Sequence, residues 1–149
     1  MIYTVDKHYP HSLGLSACFR QWRASSHCRY PHGYALAFTL RFASPELSPE
    51  GWVIDFGALK PVKDYLVRMF DHQMLVATDD PAYDDFASLH GRGILRMRPV
   101  ERTGCEAFAT MVGKHTADVL AKSERWSHVS VSQVTCHEHD ANSATVQFT

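Results

Sequence analysis

The sequence has no run of about 18 uninterrupted apolar residues, the length a membrane-crossing helix needs. It has almost no net charge: 15 Lys and Arg against 16 Asp and Glu leave −1 at pH 7. No overall basic field therefore exists to follow a phosphate backbone, and neither nucleic acid nor a membrane is an expected partner. Residues Met1 to His8 lack the charged-then-apolar pattern of a secretory signal, so a cytoplasmic protein is expected. Cys-x-x-Cys pairs are missing as well. The four cysteines, Cys18, Cys28, Cys105 and Cys136, are scattered, and in a reducing compartment they are expected as free thiols. Nothing reads as a linker. With 149 residues, 45% of them hydrophobic, the chain is expected to form one domain over residues 1–149.

What is present is concentrated in Cys28-Arg29-Tyr30-Pro31-His32-Gly33-Tyr34, a thiol and an imidazole in a tight turn before the run Ala35 to Phe42. That run partly alternates, so Cys28 belongs to the turn while His32 and Tyr34 enter a strand on one face. A Cys-x-x-x-His spacing is also what a small packed thiol and a hydrogen-bonded histidine would give. Ten histidines is a high count for this length and raises the prospect of a metal or acid-base site without locating it.

In chain order, residues 13–24 read as a strand broken by Ser25-Ser26-His27, and 33–43 as its hairpin partner. Residues 44–51, with two prolines and a glycine, form a loop. Leu59, Val62, Leu66, Met69 and Phe70 recur at helical steps, giving an amphipathic helix over 58–70. Asp55 precedes it closely enough to cap its start, and Pro61 is tolerable in its first turn. Asp71-His72 follows, either an acid-imidazole pair with a role or a solvated dipeptide. An acidic loop spans 78–85, a short helix 82–90, and Gly91-Arg92-Gly93 ends it. Phe108, Ala109, Val112, Thr116 and Leu120 mark a second long helix over 105–120, with Glu106 in its first turn suiting the helix dipole. Strands are expected at 129–134 and 144–148, with a polar loop at 135–143. Strand-strand-helix-helix-strand-strand argues for an α+β domain: an antiparallel four-stranded sheet with two helices on one face. Trp22, Arg20 and Arg23 beside Phe19 read as either a phosphate-binding mouth or an exposed strand face.

Four stretches together resemble the 6-pyruvoyl-tetrahydropterin synthase and 6-carboxytetrahydropterin synthase family. Cys28 to Tyr34 is similar to its Cys-x-x-x-His-Gly-His, and Gly51-Trp-Val-Ile-Asp55-Phe56-Gly-Ala-Leu59-Lys60 to its Gly-x-x-x-Asp-Phe-x-x-Leu-Lys. Phe70-Asp71-His72-Gln-Met-Leu75 is similar to Leu-Asp-His-x-x-Leu, and Glu138 with Asn142-Ser143-Ala144 to a C-terminal Glu-Thr block. A fainter match joins Glu106-Ala107-Phe108-Ala109 to Glu-Asn-x-Ala. The resemblance implies the tunnelling fold (T-fold) and a lyase acting on a dihydroneopterin triphosphate-like pterin, in 7-deazaguanine (queuosine-type) biosynthesis. It makes Cys28 the general base, Asp71 and His72 its relay, and Glu106 and Glu138 the candidates to hold the pterin. A thiol of ordinary pKa about 8.5 serves as a base once an imidazolium favours the thiolate. A carboxylate accepts two parallel hydrogen bonds from a pterin edge.

The resemblance also implies zinc on three histidines, and here this sequence departs. Phe19 stands where the first histidine is expected and Tyr34 where the third is; only His32 matches. A rebuilt site would draw on His27 beside His32, or on Cys136, His137 and His139 near Glu138. The other reading is metal-free, with Tyr34 as a hydroxyl donor or with the reaction lost. Three functions stay open: the pterin lyase, a non-catalytic pterin- or purine-binding T-fold protein, and an assembly protein. In each, open sheet edges lead to an expected homo-oligomer, and the family's form is a trimer or hexamer with sites at the seams.

Overall fold

A computed structural model describes residues 1–149. Its central strand is β3, His32–Ser44, whose alternate residues Leu36, Phe38, Leu40 and Phe42 are fully buried on one face. One edge of β3 carries two antiparallel strands in tandem. β2, Leu15–Phe19, pairs with its beginning (Leu15 opposite Leu36, Phe19 opposite His32), and β1, Tyr3–Tyr9, with its end (Tyr3 opposite Ser44). The other edge carries β6, Ser130–His139, and beyond it β7, Asn142–Gln147, both antiparallel. On the far side of β2 run β4, Gln73–Ala77, and β5, Met97–Val100, parallel to β2 and to each other. The order is β5-β4-β2-β3-β6-β7, with β1 also on β3.

Helices α1, Lys60–Phe70, and α3, Cys105–Ala121, cover the apolar face of this sheet. α1 buries Val62, Leu66 and Phe70, and α3 buries Phe108, Ala109, Val112, Thr116 and Leu120, the stripe their spacing predicts. Phe38, Phe70, Phe108 and Phe19 meet ring against ring, at successive centroid separations of 5.1, 5.3 and 5.0 Å. Truncating one such ring to alanine costs about 3–5 kcal/mol. Asp55 accepts the Gly57 N–H at 2.9 Å and so opens the short turn Phe56–Leu59 that leads into α1, and Pro61 lies in the first turn. A third helix, α2, Tyr83–Gly91, lays Tyr83, Phe86 and Ala87 on a separate small cluster of Met74, Val76 and Met97. β4 is therefore buried along its whole length. No helix is long and apolar enough to cross a membrane.

The α+β class and the four antiparallel strands with two helices on one face hold. The differences lie at particular elements. The strand expected over 13–24 stops at Phe19, because the next residues turn away to other partners: Arg20 to Asp80, and the Gln21 N–H to the Cys28 carbonyl at 2.9 Å. β1, β4 and β5 add three strands and make the sheet mixed and seven-stranded. The polar stretch 135–143 is mostly strand, since β6 runs on to His139 before a tight turn into β7. Its polar side chains find partners across the ladder, such as Thr135 with Thr145 at 2.8 Å.

Candidate active site

β2 carries chemistry at both ends. At its start, Asp71 leaves α1 and His72 turns the backbone into β4. Asp71 Oδ1 accepts the Ser16 N–H at 3.3 Å and the His72 Nδ1–H at 2.8 Å, while the His72 N–H donates to the Ser16 carbonyl at 2.7 Å. The carboxylate fixes the proton on Nδ1 and leaves the Nε2 lone pair outward; the His72 side chain is 76% exposed. His72 holds φ 56°, the one non-glycine residue in the left-handed region.

At the other end of β2, Phe19 faces His32 across the ladder, Cys18 faces Gly33 and Ala17 faces Tyr34. Gly33 is required by a close approach: a Cβ there would lie 2.9 Å from the Ala17 carbonyl oxygen. Ser26 caps the short turn His27–Arg29 through the Cys28 N–H, leaving Cys28 half-buried and His27 exposed. His32 donates Nδ1–H to the Tyr30 carbonyl at 2.7 Å, which leaves its Nε2 as an acceptor. Four rings then gather: Phe19 to His32 at 5.1 Å, Phe19 to Tyr34 at 6.0 Å, His32 to Tyr34 at 5.4 Å, and Tyr34 to His139 at 5.9 Å. His139 reaches this cluster through a register shift in β6 after His137.

Burial pushes the Tyr34 phenol above its ordinary value, and the nearby Glu138, Cys28 and Cys105 act in the same direction. Those three residues thus lie around it. Behind them Cys105 and Cys136 are both buried, and the neighbouring Cys105 and burial push the Cys136 thiol far up, with Glu138 and Glu106 adding to the effect. All four cysteines are free thiols. Glu106, in the first turn of α3, also faces a groove of about 790 Å³ with Gln21, Trp22, Arg23, Arg102 and Lys114. Gln21, tied to Thr103 at 3.0 Å, was not legible as a wall of this groove.

The Phe19 end therefore collects Cys28, His32, Tyr34 and Glu138, with Glu106 close by. It does not collect Asp71 and His72, which sit beyond the opposite end of β2, about 10 Å of strand away at 3.3 Å per residue. Arg20 and Arg23 form no free phosphate mouth. Arg20 makes two bonds to buried Asp80, while Trp22 and Arg23 bond Asp79 at 3.2 and 3.1 Å.

The donors do not fit zinc at His32. Phe19 is 1% exposed, and its ring fills the place of the expected imidazole, packed edge-on against Phe108. Tyr34 and His32 leave one imidazole nitrogen between them, His27 is exposed on the turn outside the ring cluster, and no three His, Cys, Asp or Glu side chains are placed to hold an ion. A further histidine group lies on the helix-free face: the Thr39 hydroxyl bridges His8 Nδ1 at 2.8 Å and His137 Nε2 at 3.1 Å, with His11 beside His137.

Residues 11–148 match the family model described as 6-pyruvoyl tetrahydropterin synthase. The 6-carboxy-5,6,7,8-tetrahydropterin synthase of Aquifex aeolicus (strain VF5) is 25% identical over 91 residues, 60% of this chain and 56% of that protein. The match thus spans little more than half of that curated relative. Among solved structures, the uncharacterized protein WS1659 from Wolinella succinogenes superposes with TM-score 0.79 at 18% identity, covering 99% of this chain and 98% of that one. The 6-pyruvoyl tetrahydropterin synthase of Plasmodium vivax gives TM-score 0.65 at 16% identity, covering 98% and 97%. These likenesses carry the tunnelling fold, and the family model, matching nearly the whole sequence, carries the rest: the chain belongs to the 6-pyruvoyl tetrahydropterin synthase family.

Proposed function

We propose that the protein is a 6-carboxytetrahydropterin synthase-like lyase acting on a dihydroneopterin triphosphate-like pterin, in the cytoplasm and in 7-deazaguanine (queuosine-type) biosynthesis. One observation carries this: a half-buried thiol, Cys28, stands with Glu138 near the His32 and Tyr34 rings in a member of this family. In this reading a flat heterocycle lies with its ring N–H groups on Glu138 or Glu106, and Cys28 takes the proton from its side chain. The Asp71 and His72 pair, held at the far end of β2, serves the Cys28 end of a neighbouring copy, so the working form is a homo-oligomer, a trimer or hexamer. No step is assigned to zinc, because the side chains around His32 do not form its ligand set. The test is product formation from dihydroneopterin triphosphate by purified protein. Turnover that Cys28→Ala abolishes while ligand binding persists is the expected result; an inert wild-type protein would remove the lyase reading.

A second reading has its own support in Phe19 and Tyr34. A T-fold protein that binds a pterin or purine without converting it would show affinity dependent on Glu106 or Glu138 and indifferent to Cys28→Ala.

A further inference from the structure

We infer that Tyr34 and His32 together hold the oxygen on the ligand's side arm, the phenol as donor and the imidazole as acceptor, and that this pair does the polarising work without a metal ion. The inference rests on the pterin reading above and specifies its chemistry. Three features carry it. First, Phe19 removes a ligand position and replaces it with a buried ring that touches both partners, at 5.1 Å from His32 and 6.0 Å from Tyr34. Second, the Tyr34 ring is braced by Phe19, His32 and His139, while burial, with Glu138 nearby, favours a protonated hydroxyl able to donate. Third, His32 has its Nδ1–H committed to the Tyr30 carbonyl, which fixes Nε2 as an acceptor.

A carbinol oxygen needs both kinds of partner: it accepts one hydrogen bond and donates another. In a dihydropterin the carbinol carbon adjoins a ring C=N bond. Isomerisation moves the carbon-bound hydrogen to Cys28 as its bonding pair enters the ring, and the hydroxyl hydrogen leaves through His32 Nε2. Two hydrogens are returned to the carbon and nitrogen of the former C=N bond, leaving a carbonyl whose oxygen is held by the Tyr34 O–H. Atoms balance and no oxidant enters. One oriented donor of this kind contributes about 100-fold to 1,000-fold in rate.

The experiment uses full-length protein with 7,8-dihydroneopterin as the probe, following binding by fluorescence and loss of the carbinol hydrogen in D₂O by NMR, with and without a chelator. Zinc uptake is titrated in parallel. Wild type should take up no zinc that depends on His32, and its exchange should ignore the chelator. Tyr34→Phe should bind within about threefold of wild type yet exchange about 100-fold more slowly. Phe19→His with Tyr34→His should gain one zinc per subunit, a readout independent of any substrate. Exchange at the wild-type rate in Tyr34→Phe, or stoichiometric wild-type zinc lost in His32→Ala, overturns the inference and leaves the pterin reading standing. A wild-type protein that neither binds nor exchanges the probe overturns both.

Discussion

Arg20 grips Asp80 with two hydrogen bonds, Nε to Oδ2 at 2.8 Å and Nη2 to Oδ1 at 2.5 Å, although 60 positions separate them in sequence. The Asp80 side chain is only 2% exposed, and it also accepts the Ala82 N–H at 2.8 Å. The guanidinium holds the Asp80 carboxyl below the usual carboxylate range. We predict that Asp80→Asn, which strands the Arg20 charge, lowers unfolding free energy by about 3 kcal/mol at pH 7. Because the folded value is depressed, this contribution is present above the unfolded pKa of about 3.9 and fades as pH falls through the folded one. Urea midpoints of wild type and variant should therefore converge in acid; a gap constant down to about pH 2 would contradict the assignment.

His72 occupies a backbone conformation that glycine adopts at no steric cost. His72→Gly is expected to leave stability unchanged or raise it by up to about 1 kcal/mol, since its exposed pairing with Asp71 is worth little. Turnover should fall steeply if the imidazole is the relay. Thermal melts and initial rates on one preparation decide the matter; a variant both less stable and fully active would contradict both halves.

Burial depresses the His137 pKa, with His8 and His11 adding to the effect, and burial likewise depresses His115, stacked 3.9 Å from the Tyr65 ring. A lowered folded pKa means that the unfolded state binds protons first. Their stabilising contribution is complete above the unfolded pKa of about 6.5 and is lost as pH drops towards the folded values. The urea midpoint should fall between about pH 7.5 and 5.5, and His137→Gln with His115→Gln should flatten that fall.

Gly33→Ala pushes a methyl group against the backbone carbonyl of Ala17, which cannot swing aside. A loss of about 1–3 kcal/mol is expected, together with weakened ligand binding, because Phe19, His32 and Tyr34 straddle that contact. At Gly113 the neighbour is the Phe148 ring near the C-terminus, so Gly113→Ala should cost less by the same denaturation assay.

The sequence exposed what is local and periodic. α1 and α3 follow from their apolar stripes, the alternation after Gly33 marks β3, and Asp55 and Pro61 announce the start of α1. β4 was hidden because Met74-Leu75-Val76-Ala77 is buried on both faces and does not alternate. β5 was hidden by Arg98 and Pro99, which an edge strand tolerates. β1 mixes Asp6, Lys7 and His8 into its pattern. Cys28, His32 and Tyr34 were legible as neighbours in one motif. That Asp79 and Asp80 would occupy Arg23 and Arg20 was not, since pairing across 56 and 60 positions leaves no local mark.

The parallel pairing of β2 with β4 bears on how the protein folds. Joining Ala17 to Gln73 closes a long loop, whereas β6 and β7 meet across a tight turn and can pair early. The fastening of Asp71 to Ser16 spans 55 positions, and that of Gln21 to Thr103 spans 82. Both ends of β2 thus wait for late, non-local contacts, so a nascent polypeptide with its hairpins formed should still lack the assembled ring cluster. Mutations that slow β2–β4 docking would then lengthen the interval before native protein appears, even where its final yield is unchanged.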